Sequence, residues 1–145
     1  MKLFFDTSSL FKLYHQEEGT KELESIFLEE SISHIYLSEI TKIEFASTIW
    51  KKVRTNEITI QQAENTLILF ESDFGKYNFI FIDSIITEQA RNLMTKYGID
   101  GLRTLDSIQL STCVLLAKHV DYFLTADKLL KKFVEREGLK TEILE

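Results

Sequence analysis

The sequence predicts an α/β fold with a mainly parallel sheet, on three observations. Short continuous apolar runs recur along the chain, as in strands covered on both faces. Amphipathic stretches of helical period alternate with them. Two of the runs lead straight into an aspartate: Phe5 hands to Asp6, and the segment YFLTA hands to Asp127.

With no proline and only five glycines, boundaries must be read from periodicity. Leu3 to Phe5 is the first strand. Thr7, Ser8 and Ser9 then offer N-cap hydroxyls to a short helix through about Tyr14. Gly19 and Thr20 open a second helix, with Leu23, Ile26 and Phe27 as its inward stripe. Ile35 to Leu37 is the second strand. Ser38 caps a helix running to about Asn56, whose apolar stripe reads Ile40, Ile43, Ala46, Trp50 and Val53. Thr59 caps a long amphipathic helix with Ala63, Leu67, Phe70 and Phe74 on one face. Phe79 to Ile82 is the third strand. Asp83 and Ser84 cap the next helix, which reaches Tyr97 and stops at Gly98. A further helix spans about Thr104 to His119, Tyr122 to Leu124 is the fourth strand, and Ala126 to Glu137 is the last helix. Thr141 to Leu144 reads as a fifth strand.

No repeat, linker or low-complexity segment interrupts this series, so residues 1–145 are expected to form one domain. Such a length buries roughly two-thirds of the unfolded surface. The apolar fraction of 44% and charged fraction of 28% are those of a soluble globular protein. One cysteine, Cys113, excludes an internal disulfide and fits a reducing cytoplasm. The N-terminus lacks signal-peptide character, and no apolar run approaches the roughly 20 residues of a membrane span. A net charge of −6 argues against a broad nucleic-acid-binding surface, while leaving room for a local basic rim. Lys51, Lys52 and Arg54 form one basic cluster, and Lys128, Lys131 and Lys132 another; each reads as a solvated helix face.

Four acids stand beside or inside strongly apolar segments: Asp6, Glu44, Asp106 and Asp127. A buried anion is costly unless something cationic meets it. Asp6 and Asp127 each have a structural use as a helix N-cap, although the neighbouring hydroxyls compete for that role. Glu44 borders the stripe of its helix, where a solvated flank is the plainer reading. Asp106 is the strongest signal, because its helix, TLDSIQLSTCVLLAKHV, is apolar on nearly every side. The helix dipole stabilises an anion in the first turn by about 0.3–1 kcal/mol. Burying it unpaired costs several kcal/mol. Either a base such as Arg103 or a metal ion must complete the site. Four carboxylates suit Mg²⁺ or Mn²⁺, hard ions that prefer oxygen ligands, and such an ion implies metal-assisted hydrolysis.

The ordered segments LFFDTSSL, LSEITKIEFAST, LRTLDSIQL and FLTADKLL resemble those of the PIN-domain nucleases, most closely the small VapC-type toxins of toxin–antitoxin pairs. The resemblance spans almost the whole chain. It implies a three-layer α/β/α fold and a Mg²⁺- or Mn²⁺-dependent endoribonuclease acting on RNA. It assigns Asp6, Glu44, Asp106 and Asp127 as the acidic metal-binding and catalytic quartet. Ser8 and Thr125 match hydroxyl positions near the metal or the scissile phosphate. It further implies a homodimer and inhibition by a cognate antitoxin. Asp83, after the third strand, reads instead as a helix cap and Asp100 as a loop residue.

His15, His34 and His119 lack metal-ligand spacing, which argues against zinc or a histidine-based nucleophile. Cys113 reads as a small core residue, and Trp50 as a core or dimer contact. Two rival functions remain. A haloacid dehalogenase-type phosphomonoesterase also places Asp after its first strand, but wants a second acid where Ser8 stands. A non-catalytic PIN module would only bind RNA or a protein partner.

Overall fold

The computed structural model describes residues 1–29 and 31–143. Strands β1 (Lys2–Phe5), β2 (His34–Ser38), β3 (Asn78–Ile80), β4 (Tyr122–Thr125) and β5 (Thr141–Ile143) form one sheet in the order β3-β2-β1-β4-β5. Every pairing in it is parallel. The expected fifth strand is present; Leu144, its expected end, lies outside the described residues.

Side chains alternate across a strand, so β1 feeds two cores. Leu3 and Phe5 join the core built with α1 (Thr7–Phe11), α2 (Thr20–Glu29), α3 (Thr41–Arg54) and α4 (Ile60–Ser72). Phe4 faces the other way, into the core built with α5 (Ser84–Tyr97), α6 (Thr104–Leu115) and α7 (Lys128–Arg136). Helices therefore cover both faces of a central sheet, giving the three layers expected. Burial on both sides explains why the strands read as unbroken apolar runs. Among the described residues, no helix is long and apolar enough to cross a membrane.

The strand order creates the crevice. From β1 the chain passes to β2 and β3 on one side, then crosses by α5 and α6 to β4 on the other side of β1. At such a reversal the connections leave from opposite faces of the sheet, and a cleft opens beyond the carboxyl ends of the two strands. Asp6 follows β1 and Asp127 follows β4 by two residues, so both stand at this point.

Several local expectations are corrected. Asp6, rather than the hydroxyls after it, caps α1 by accepting from the Ser9 amide. The α3 helix begins at Thr41 without a side-chain cap, and Ser38 instead accepts from the Ile40 amide at 3.2 Å. Helix α3 also turns a different face inward: it buries Thr41, Phe45 and Ile49, and leaves Ile43 and Trp50 exposed. Phe45 meets Phe70 at 4.1 Å, Phe11 at 5.5 Å and Tyr14 edge-on at 5.3 Å between ring centroids. An aromatic ring removes more apolar area from water than Ile43 would, and it gains ring–ring contacts as well. The α6 helix ends at Leu115, short of His119, and is not apolar all round. Its buried face carries Ser107, Gln109, Ser111 and Thr112, while Leu105 and Leu115 are exposed.

The orientation of α3 has a direct test in urea unfolding. Phe45 is 0% exposed and Ile43 is 68% exposed. Phe45→Ala should cost about 3–5 kcal/mol of stability, and Ile43→Ala no more than about 0.5 kcal/mol. Equal losses would contradict the burial of this face.

Candidate active site

The four predicted acids sit at four helix N-termini. Asp6 and Asp127 are the N-caps of α1 and α7, and Glu44 and Asp106 lie in the first turns of α3 and α6. All four line one open cavity of about 330 Å³. Thr7, Ser8, Arg103, Lys52 and Gln109 share its wall. Helix N-termini carry partial positive charge, so each acid gains a little from its own helix, about 0.3–1 kcal/mol where exposed.

Asp6 is the most deeply placed, at 5% exposure. Its Oδ1 accepts from the Ser9 amide at 2.9 Å and from the Ser9 hydroxyl at 2.8 Å. Its Oδ2 accepts from the Thr125 hydroxyl at 2.6 Å, and the Ser8 hydroxyl lies within 2.9 Å of both oxygens. Ser8 and Thr125 in turn accept from the amides of Ala126 and Asp127, at 3.1 and 3.0 Å. The two hydroxyls thus pin the β4–α7 corner to the β1–α1 corner, with the Asp6 carboxylate between them. Burial still outweighs these bonds and raises the Asp6 pKa from an ordinary 3.8 to about 6.

Glu44 is held differently. Its Oε1 accepts from the Thr7 hydroxyl at 2.9 Å and from the Gln109 amide at 2.8 Å. The same Gln109 nitrogen reaches Thr41 at 3.1 Å and Thr7 at 3.3 Å. A carboxylate only accepts, so it fixes which end of the Gln109 amide faces it. That leaves Gln109 Oε1 buried with no hydrogen-bond partner.

Asp106 and Asp127 share one cation. The Arg103 guanidinium meets Asp106 Oδ2 through Nε at 3.0 Å and through a terminal nitrogen at 2.9 Å. It meets Asp127 Oδ2 at 3.4 Å. The other Asp127 oxygen caps α7, accepting from Leu129 and Leu130 at 2.9 and 3.0 Å. Desolvation raises the Asp106 pKa, with Arg103 opposing it and Asp127 adding to it. The acids share a cavity, but Asp6 and Glu44 are tied to separate donors and only Asp106 and Asp127 share one. Among the described residues, no three His, Cys, Asp or Glu side chains are already gathered to hold a metal ion.

Asp83 and Asp100 do not join the cavity. Asp83 caps α5, accepting from the Ile86 amide at 3.0 Å. Asp100 pairs with Arg136 at 3.2 Å. None of the histidines lines the cavity wall. Cys113 is a buried core thiol as expected, while Trp50 sits on the exposed side of α3. Lys52, read from sequence as part of a solvated cluster, is a wall residue, as is Glu17. The signal for Lys52 was its spacing: Glu44, Thr48 and Lys52 recur every four residues and all line the cavity. Gln109, three residues beyond Asp106, carried a similar signal on α6.

The family model for the PIN domain matches residues 3–135. No curated protein matches the chain in sequence. The fold is similar to that of VapBC2 from Rickettsia felis, solved bound to a DNA fragment from its promoter. The TM-score is 0.68 at 17% identity, with 100% of each chain covered. A toxin–antitoxin complex from Klebsiella pneumoniae gives 0.61 at 22% identity, covering 86% of each chain. VapC20 of Mycobacterium tuberculosis, a sarcin–ricin loop cleaving toxin, gives 0.64 at 14% identity, covering 90% of this chain and 93% of that one.

The raised Asp6 pKa makes a pH prediction for protein kept in chelator. Below pH 3.8 folded and unfolded chains both hold this proton; between there and about 6 only the folded chain does. Stability contributed by Asp6 is therefore full below the lower value and lost as pH rises through the upper one, by up to about 3 kcal/mol. Unfolding free energies of wild type and Asp6→Asn, measured from pH 4 to 7, should diverge in favour of Asp6→Asn. Parallel curves would show that Asp6 titrates normally.

Proposed function

The chain belongs to the PIN domain family, and from that premise we propose that residues 1–145 form a single PIN domain acting as a metal-dependent endoribonuclease, the VapC-type toxin of a toxin–antitoxin pair. The observation that supports this most is the convergence of Asp6, Glu44, Asp106 and Asp127 on one cavity with Arg103 and Lys52 in its wall.

The donor set fits a hard divalent ion. The wall offers carboxylate and hydroxyl oxygens and contains neither His nor Cys, which suits Mg²⁺ or Mn²⁺ over zinc. Magnesium keeps several waters and takes few direct carboxylates, so it does not require three acids gathered beforehand. Asp6 is the first ligand in this reading, since burial makes its anion the one most relieved by a neighbouring cation. Glu44, Asp106 and Asp127 complete the site directly or through water. When bound, the ion supplies Lewis acidity toward water and the phosphate oxygens.

The chain's own residues do the rest. Ser8, Ser9 and Thr125 fix both oxygens of Asp6, so this ligand cannot turn away. Thr7 and Gln109 fix one oxygen of Glu44 and leave the other for the cavity. Lys52, paired with Glu57 at 3.7 Å, adds to Arg103 a second positive charge on the wall, where an RNA phosphodiester can lie against the acids. Family membership sets aside the haloacid dehalogenase-type alternative. An antitoxin partner, a homodimer and a cytoplasmic location belong to the same proposal.

Cleavage of RNA by the purified chain tests the reading. Activity should appear with Mn²⁺, vanish in EDTA, and fall by at least about a hundredfold in Asp6→Asn and in Asp106→Asn. Undiminished cleavage by both variants would sink the four-acid mechanism. RNA binding without cleavage, with Mn²⁺ present, would identify a non-catalytic module. Normal bacterial growth while active protein accumulates would remove the toxin assignment.

A further inference from the structure

Arg103 stands where a cation is wanted. Its guanidinium bonds Asp106 twice, at 3.0 and 2.9 Å, and Asp127 at 3.4 Å. These are two of the four acids proposed to serve a divalent ion. Arg103 is the cation that bridges them, while the second Asp127 oxygen is occupied in capping α7, by amide bonds that carry no full charge. Without Arg103, two anions would face one another across the cavity. Arg103 is also the N-cap residue of α6, with no capping bond of its own side chain. Its fork is therefore committed to these carboxylates rather than to its helix.

The pairing is reversible by construction. The Arg103 side chain is 71% exposed, against 20% for Asp106 and 27% for Asp127. Leaving the acids returns the guanidinium to water, where it is well solvated. Ion pairs with so exposed a partner are weak, because water and salt screen them. A divalent ion carries twice the charge on a far smaller radius, so it can win the carboxylates. The guanidinium and an ion held by the same Oδ2 atoms cannot occupy one place.

We propose that Arg103 is a built-in counter-cation that holds Asp106 and Asp127 in the metal-free protein and must be displaced when a divalent ion binds. The inference rests on the metal-site reading above and adds a competitor internal to the chain. It makes the apparent metal affinity lower than the four acids alone would give, and so sets the metal concentration at which the site fills.

Calorimetric titration of Mn²⁺ into the full chain tests this. Arg103→Gln should bind Mn²⁺ roughly three- to thirtyfold more tightly than wild type, the worth of two exposed pairs. Arg103→Lys, which keeps the charge but loses the fork, should fall between them. Lys52→Gln removes the same charge from the same wall without touching Asp106 or Asp127, and should gain less than Arg103→Gln. An equal gain would mean that only the general field matters and would overturn displacement. Unchanged or weaker binding by Arg103→Gln would overturn it too, making Arg103 a support for the site. A readout needing no variant is the Arg103 Nε–H resonance, which should shift as Mg²⁺ is added to wild type; a fixed resonance at saturating Mg²⁺ overturns the proposal. If wild type and variants all bind no Mn²⁺, the metal reading itself fails, and this inference with it.

Discussion

The buried carboxylate of Asp6 is the constraint on which the rest of the site depends. It lies at the end of the central strand, almost wholly removed from water. Its charged form is tolerated only because the Ser9 amide and the hydroxyls of Ser8, Ser9 and Thr125 converge on it. Those donors come from both sides of the crevice, so meeting the needs of one anion also closes β1 and α1 onto β4 and α7. The bonds do not fully offset burial, and the Asp6 pKa stays high at about 6. A carboxylate left under-neutralised deep in a crevice costs stability and is poised for a cation. Functional sites commonly carry such a cost.

Helix capping and catalysis are not rival explanations here. In a parallel sheet, each helix that follows a strand starts at the carboxyl edge. Topology therefore brings several positive helix ends to the same place. An acid there can cap with one oxygen and face the cavity with the other. Asp127 does so, giving Oδ1 to the α7 amides and Oδ2 to Arg103. Glu44 follows a related pattern, with Oε1 taken by Thr7 and Gln109. What looks from sequence like a structural excuse for each acid is part of how the fold aims it.

The strands and the four acids were legible in the sequence because both are local signals. A fully buried strand is an unbroken apolar run, and an acid beside one is conspicuous. The face that α3 buries was not legible. Its stripe through Ile43 and Trp50 is as regular as the one through Thr41, Phe45 and Ile49. Only the partners Phe11, Tyr14 and Phe70, brought together by the fold, favour the second. The same holds for α6, where Gln109 and Thr112 are buried while Leu105 is exposed. A polar residue can be buried only when specific donors and acceptors meet it, and those of Gln109 lie on α1 and α3, far away in sequence. Lys52 looked like one of several surface lysines for the same reason. The sequence offers Arg103 as a partner for Asp106, but its bridge to Asp127 appears only in the fold.

The proposed site reduces to one claim, that four carboxylates at four helix N-termini hold a single divalent ion anchored on Asp6. Diffraction from crystals grown with Mn²⁺, recorded for its anomalous signal, tests that claim most directly. The account predicts a peak inside the cavity in direct contact with an Asp6 oxygen. A cavity without a peak at saturating Mn²⁺, or a peak held by other residues away from Asp6, would contradict it.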